Sequence, residues 1–491
     1  MNPDLNSQLI LLLPEMIIAF FAMFVLVLDL YFKDKEKNLV YGLSQLALLF
    51  AAISTAIQGF EIKVLAFNGM FISDSISTYL KLLAYISMSL VFTYSRTYLK
   101  ARLLLKGEYF SLSLFVLLGV MLMISSMNLL MIYMGLELLS LSLYALVALD
   151  RDNPKASEAA MKYFVLGSLG SGFLLYGMSM IYGATGSLDL SVIGQRVVAD
   201  GPMQMALVFG LVFLVSGLAF KLGAVPFHMW VPDVYGGAPT AVTLALAAAP
   251  KLAAFAITMR LLVSGLGALT VDWQQMLMIL AVLSLIVGNL TAIMQTNFKR
   301  MLAYSTIAHV GFVLLGLMSG SPDGSSAVST FAYGSSLFYI LTYVLTTLGT
   351  FGVILLLSHE GFECENIDDL KGLNKRNPVL AGVMLVLMFS IAGIPPFVGF
   401  YAKLVVLQAV VAQGMLWLAV LAVVFSLIGA FYYLRVVKVI YFDEPNPDRV
   451  VNSLSLASKT VLTLNVGFIV LLGILPGGLM AVCLDVVRRS F

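Results

Sequence analysis

Five ionisable residues stand near the centres of long apolar stretches of this sequence: Glu137, Lys221, Lys251, His309 and Lys403. A charged group at the middle of a membrane costs roughly 2.5–3.5 kcal/mol on insertion scales, and its presence there points to function. Snorkelling does not relieve that cost, because a side chain at the centre reaches neither interface. Amines, a carboxylate and an imidazole are the side chains that hold and release protons, and histidine does so near neutral pH. The chemistry they point to is proton transfer.

Lys221 lies in LAFKLGAVPFHMWVPD, Leu218 to Asp233. Pro226 removes a helix hydrogen bond and clashes with the preceding turn, so this helix must break. Broken helices survive at membrane depth only beside protein or a water-filled cavity, and such breaks mark ion and substrate sites. His228 borders the same break and is a further candidate relay, or else a satisfied core histidine. Glu137, in GLELLSLSLY, is the expected partner of Lys221: separating the two charges would expel a proton from the lysine. The structural alternative is a carboxylate kept neutral by serines. Lys251 follows Pro250, which frees the Leu246 carbonyl; the lysine either staples that carbonyl or relays protons. His309 lies mid-span in STIAHVGF. Lys403 follows a second interruption, AGIPPFVGFYAK, as an exit group or as a lysine placed at a half-helix end. Lys162 has Glu158 one turn earlier and is either an interfacial ion pair or part of a proton entrance. Lys81 and Lys459 are expected to reach an interface or a partner subunit.

The elements that position these residues follow from composition. The 491 residues are 60% hydrophobic and 11% charged, with mean hydropathy +0.99. A soluble domain carries about one-quarter charged residues, so this is an all-α polytopic membrane protein. Apolar stretches predict about fourteen transmembrane helices: 8–32, 38–58, 72–97, 109–126, 128–149, 157–182, 204–229, 238–262, 271–295, 301–319, 328–358, 378–412, 415–441 and 456–486. The first run is too long for a signal-peptide core and follows no basic stretch, so it reads as a retained span. Cys364 and Cys483 offer no metal spacing, and no Gly-rich nucleotide motif follows a strand pattern. No redox cofactor, nucleotide or nucleic-acid partner is expected for this polypeptide.

The odd-numbered loops hold Lys33, Lys35, Lys37, Lys100, Arg102, Lys106, Arg151, Lys155, Lys299, Arg300, Lys371, Lys375, Arg376 and Arg449, whereas the even-numbered loops hold little beyond Lys63 and Arg196. The positive-inside rule then makes the odd loops cytoplasmic and puts both termini on the other side. Pro-Phe recurs in mid-membrane at Pro226–Phe227 and Pro396–Phe397, five spans apart. An odd offset predicts two inverted five-helix repeats, spans 4–8 and 9–13, each with a broken helix, spans 7 and 12. The expected organisation is an N-terminal three-helix segment at 1–108, a first repeat at 109–262 with its break around Pro226, a second at 263–442 with its break around Pro395–Pro396, and a C-terminal helix at 443–491.

These residues carry a resemblance. GLELLSLSLY, FKLGAVPFHMWVPDVYGGAPT, the Pro250–Lys251 pair, FKRMLAYSTIAHVGF and IPPFVGFYAK, set in fourteen spans, resemble the antiporter-like membrane subunits of respiratory complex I over nearly the whole chain. Within that family, the lysine in span 12 differs from the glutamate usual in subunit M, and the long lateral helix of subunit L is not expected. The resemblance implies a proton-translocating subunit of a bacterial inner-membrane NADH:quinone oxidoreductase. FMN, iron–sulfur clusters, NADH and quinone would be bound by other subunits. The implied partners are an antiporter-like subunit M, small helical subunits and the bilayer. Glu137 and Lys221 would form the switch, Lys251 the central relay, His309 a bridge and Lys403 the exit. The rival reading is a subunit of an Mrp-type cation/proton antiporter. A third is a structural spacer that transmits strain without conducting.

Overall fold

The computed structural model describes residues 4–31, 37–60, 63–197, 204–320, 327–445 and 455–491. Lys33, Lys35 and Arg449, which entered the orientation argument, lie outside them. Among the described residues, twelve helices are long and apolar enough to cross a membrane, or thirteen when the bent pair Leu5–Leu11 and Leu13–Asp29 counts as one span. The remaining predicted span is divided into Pro378–Ala392 and Val398–Ala412, each too short to cross alone. One two-stranded hairpin, Val64–Ala66 with Phe71–Ser73, joins the second and third spans.

Helix starts are written in short polar residues. Asn128, Asn153, Asn297 and Asn377 each accept a backbone N–H of their own first turn, from Leu130, Lys155, Arg300 and Leu380. Pro154 and Pro378 follow two of these caps, at the position where a missing N–H costs nothing. Small residues then let backbones meet. A methyl group on Gly119 would lie 2.6 Å from the Gly135 carbonyl, and one on Gly177 would lie 2.7 Å from that of Gly210. Such contacts hold helices together where lipid removes the hydrophobic incentive to associate.

The two predicted five-span sets share a pattern of neighbours. In each, the first span packs on the second, the second on the third, the third on the broken fourth, and the first on the fifth. Three expectations need correction. The first span is bent by 61° at Leu12. The eighth is interrupted at Ala248 (φ −102°, ψ −104°), just before Pro250, giving Thr240–Ala247 and Ala249–Met259. The last is two helices, Leu456–Ile474 and Gly477–Ser490. Pro476 stands at that junction, where its ring and missing N–H prevent one helix from running through.

Lys81 also departs from expectation. It reaches no interface but pairs with Glu15 at 2.5 Å, and both are almost fully buried. This pair ties the first span to the third. Removing one partner of a buried pair leaves an uncompensated charge, which costs about 3–5 kcal/mol, whereas removing both is often near neutral. Glu15→Gln is therefore expected to lower the Tm and the yield of the membrane-extracted protein, and Glu15→Gln with Lys81→Met to recover most of both.

Candidate functional site

The two breaks are built alike. The first half of the seventh span, Gln204–Leu222, ends at Gly223, φ +82°; the first half of the twelfth, Pro378–Ala392, ends at Gly393, φ +85°. At each, the glycine N–H bonds the carbonyl four residues back and the next N–H bonds the same carbonyl: Gly223 and Ala224 to Ala219, Gly393 and Ile394 to Phe389. This is the Schellman closure, and its left-handed position favours glycine. Three residues past each glycine comes Pro-Phe, at Pro226–Phe227 and Pro396–Phe397, after a cis peptide bond in both. The shared pattern is thus Gly-x-x-Pro-Phe; the glycine is the part of the signal that the Pro-Phe match alone leaves out.

Each half-helix presents its last carbonyls to the membrane interior, carrying the negative end of its dipole. A lysine meets each one. Lys251 Nζ donates to the Leu222 carbonyl at 2.6 Å, and Lys403 Nζ donates to the Ala392 carbonyl at 2.8 Å and to Ser426 Oγ at 2.8 Å. Lys251 thus reaches across to the broken helix and does not staple Leu246. Trp230 Nε1 takes the Phe220 carbonyl at 2.9 Å, and Ser284 Oγ accepts from the Val225 N–H inside the break.

Lys221 points the other way. Its Nζ donates to Ser140 Oγ at 2.9 Å and to Ser171 Oγ at 3.2 Å. No ion pair joins it to Glu137 among the described residues, and the buried Glu137 Oε1 lacks a hydrogen-bond partner. Ser140 lies one turn after Glu137 on the same helix, Leu129–Val147, and its hydroxyl donates to the Leu136 carbonyl at 2.7 Å, so it accepts from Lys221 without reaching the carboxylate. Lys221 and Lys251 line one cavity of about 30 Å³, together with Tyr163 and Trp230. A water molecule needs roughly 10–15 Å³ of such space, so the cavity admits two or three.

His309 lies in the tenth span within a cage of hydroxyls. Tyr339 Oη is 2.6 Å from Nδ1 and Tyr433 Oη is 3.2 Å from Nε2. Tyr433 continues to Ser305 at 2.5 Å and to Tyr432 at 3.1 Å, and Tyr432 donates to Asn289 Oδ1 at 3.1 Å. Hydroxyls both donate and accept, so such a chain can pass a proton. A cavity of about 20 Å³ beside His309 is also lined by Tyr343, Ser390, Gly399 and Ala402, which brings it to the twelfth-span break. Phe312, one turn from His309, lies under Lys403 at 5.4 Å.

At the predicted cytoplasmic end, Lys162 pairs with Glu158 at 2.8 Å and with Asp233 at 2.9 Å, and Arg300 also reaches Asp233 at 3.2 Å. The neighbour of Lys162, Tyr163, stacks on Trp230 at 4.8 Å, and the Trp230 ring lies 5.7 Å from Lys251 Nζ. His228 sits half-buried inside the first break, with no hydrogen bond to any of these lysines or to His309 among the described residues. The structure therefore gathers Lys221 with Lys251, and His309 with Lys403, and leaves Glu137 and His228 without a hydrogen bond to either pair among the described residues. Sequence reasoning missed Ser140, Ser171, Ser426, Asp233 and the tyrosines. Hydroxyls and aromatics are common in every span, and a chain this rich in both gives no cue to which ones converge.

A bundle of membrane-spanning helices, two of them broken in the same way and each capped by a lysine amine, defines an ion-translocating membrane protein of the antiporter type. Residues 126–429 match the family model described as NADH:quinone oxidoreductase/Mrp antiporter, TM, and the chain belongs to that family. It is 59% identical to NADH-quinone oxidoreductase subunit N of Herminiimonas arsenicoxydans over 99% of both chains. It resembles a chain of respiratory complex I from Thermus thermophilus with TM-score 0.80 and 32% identity, over 95% of this chain and 98% of that one. A chain of the Mrp complex from Dietzia sp. shares the fold, with TM-score 0.83 and 20% identity over 97% and 96% of the two chains.

Proposed function

We propose that this chain is a proton-translocating subunit in the membrane arm of an NADH:quinone oxidoreductase, with Lys221, Lys251, His309 and Lys403 carrying the protons. The observation that carries the reading is the pair of equivalent breaks, each with a lysine amine on its terminal carbonyl and a water-sized cavity alongside. Glu137 acts on Lys221 through its charge, and Lys162 with Asp233 forms the cytoplasmic entrance. His228 serves the first break without a direct link to the wire.

Spans 4–8 and 9–13 are inverted repeats, which the matched neighbours and the matched Gly-x-x-Pro-Phe breaks support. Both termini face away from the cytoplasm, across a bacterial inner membrane. The chain holds no redox centre; FMN, iron–sulfur clusters, NADH and quinone belong to other subunits, and an antiporter-like subunit M and small helical subunits flank it. High identity to subunit N relatives over the full length favours this reading over the Mrp type, whose likeness lies in the fold alone.

Moving one charge against 100 mV costs about 2.3 kcal/mol, so one lysine serves as a gate and not as a complete pump. Lys221→Ala is the discriminating experiment. In the reconstituted complex it is expected to reduce NADH-driven pumping by about 100-fold, on the scale of removing a positioned proton-transfer group. NADH oxidation by an artificial acceptor stays near the parent value. Undiminished pumping in an assembled complex would favour the spacer reading.

A further inference from the structure

Asp74 and Arg260 form a bidentate ion pair, Nη1 to Oδ2 and Nη2 to Oδ1, both at 2.8 Å, at the predicted outer end of the bundle. Both residues are about 1% exposed. Arg260 follows directly on Ala249–Met259, the helix that bears Lys251 in its first turn, and begins a π-helical turn, Arg260–Gly265. That helix is therefore interrupted at both ends, at Ala248 and at the π turn. The helix packs on the third and fourth spans, and at its outer end Arg260 adds a polar contact to each of them. Asp74 belongs to the third span, where it caps the helix by accepting the Ser77 N–H; the Ile124 carbonyl ends the fourth span, 3.5 Å from Nη2; and the Phe491 ring lies 5.9 Å from the guanidinium.

We infer that the Asp74–Arg260 pair is a positioning device for Lys251. Nine residues separate Arg260 from Lys251, about 13 Å of helix. A shift at the anchor travels along this short cylinder and lifts Nζ from the Leu222 carbonyl. Misplacing a reacting group by about 1 Å can cost on the order of 100-fold in rate, so the anchor matters although it lies far from the lysine. The inference rests on the reading of Lys251 as a proton carrier.

The test uses the whole complex, reconstituted in liposomes, with NADH-driven pumping measured across pH. Asp74→Asn with Arg260→Met removes both charges together, which spares the fold the cost of one uncompensated ion, and asparagine keeps the helix cap. This double variant is expected to lose about tenfold or more of its pumping and to show a displaced pH profile, with artificial-acceptor oxidation unchanged. Asp74→Glu, which restores the carboxylate, is expected to recover most of the pumping and the parent profile. Parent pumping and parent pH profile in the double variant, beside an inactive Lys251→Met, would overturn the positioning role alone. An Asp74→Glu variant as impaired as the double variant would also count against it. Normal pumping in Lys251→Met would instead sink the proton-carrier reading on which the inference stands.

Discussion

Lys251→Met is expected to reduce NADH-driven proton translocation by about 100-fold or more, the scale on which a positioned proton-transfer group contributes. The residue is 2% exposed, and its amine donates to the Leu222 carbonyl, its one acceptor among the described residues. Methionine has similar length and no titratable group, so it fills the space and cannot carry a proton. It also leaves the Leu222 carbonyl without its donor, a cost of about 1–3 kcal/mol. Trp230 still holds the neighbouring Phe220 carbonyl, so the break keeps its shape and the complex assembles. The measurement is pH-dye quenching in proteoliposomes, with artificial-acceptor oxidation as the assembly control. Pumping within twofold of the parent would remove Lys251 from the path.

Lys403 permits a sharper separation of charge from proton. Its amine bridges the Ala392 carbonyl and Ser426 Oγ, so it closes the twelfth-span break and faces the neighbouring span at once. Arginine at this position keeps the positive charge and the donors but does not release a proton in proteins. Lys403→Arg is expected to assemble like the parent and to lose pumping by about 100-fold. Lys403→Met is expected to lose pumping to the same extent and also to lower the Tm, because the half-helix end loses its cation. Comparing the two in one preparation isolates titration from capping. Retained pumping in Lys403→Arg would reduce Lys403 to a structural lysine.

The symmetry of the two breaks changes how these residues correspond. Their order along the chain pairs Lys221 with Lys403, since each stands near a Pro-Phe. The hydrogen bonds pair Lys251 with Lys403, since each holds the carbonyl before the left-handed glycine. Lys221 then stands apart from both, held by Ser140 and Ser171 on two other spans.

Much of this was legible in the chain itself. Apolar runs long enough to span a bilayer separate from polar turns on length alone, and asparagine before proline marks helix starts because both act within one turn. Prolines at membrane depth reveal breaks, and charges at span centres reveal themselves by their cost. The bends at Leu12, Ala248 and Pro476 lie inside apolar runs, where hydropathy does not change, and only Pro14, Pro250 and Pro476 mark the chain there. Only the tertiary structure decided which acceptor each amine takes. Lys221 finds two serines in place of Glu137, Lys251 finds a carbonyl 29 residues away in sequence, and His309 finds two tyrosines from other spans. The reason is physical: local rules follow backbone periodicity, whereas a hydrogen bond across helices depends on the packing of small residues that bring those helices together.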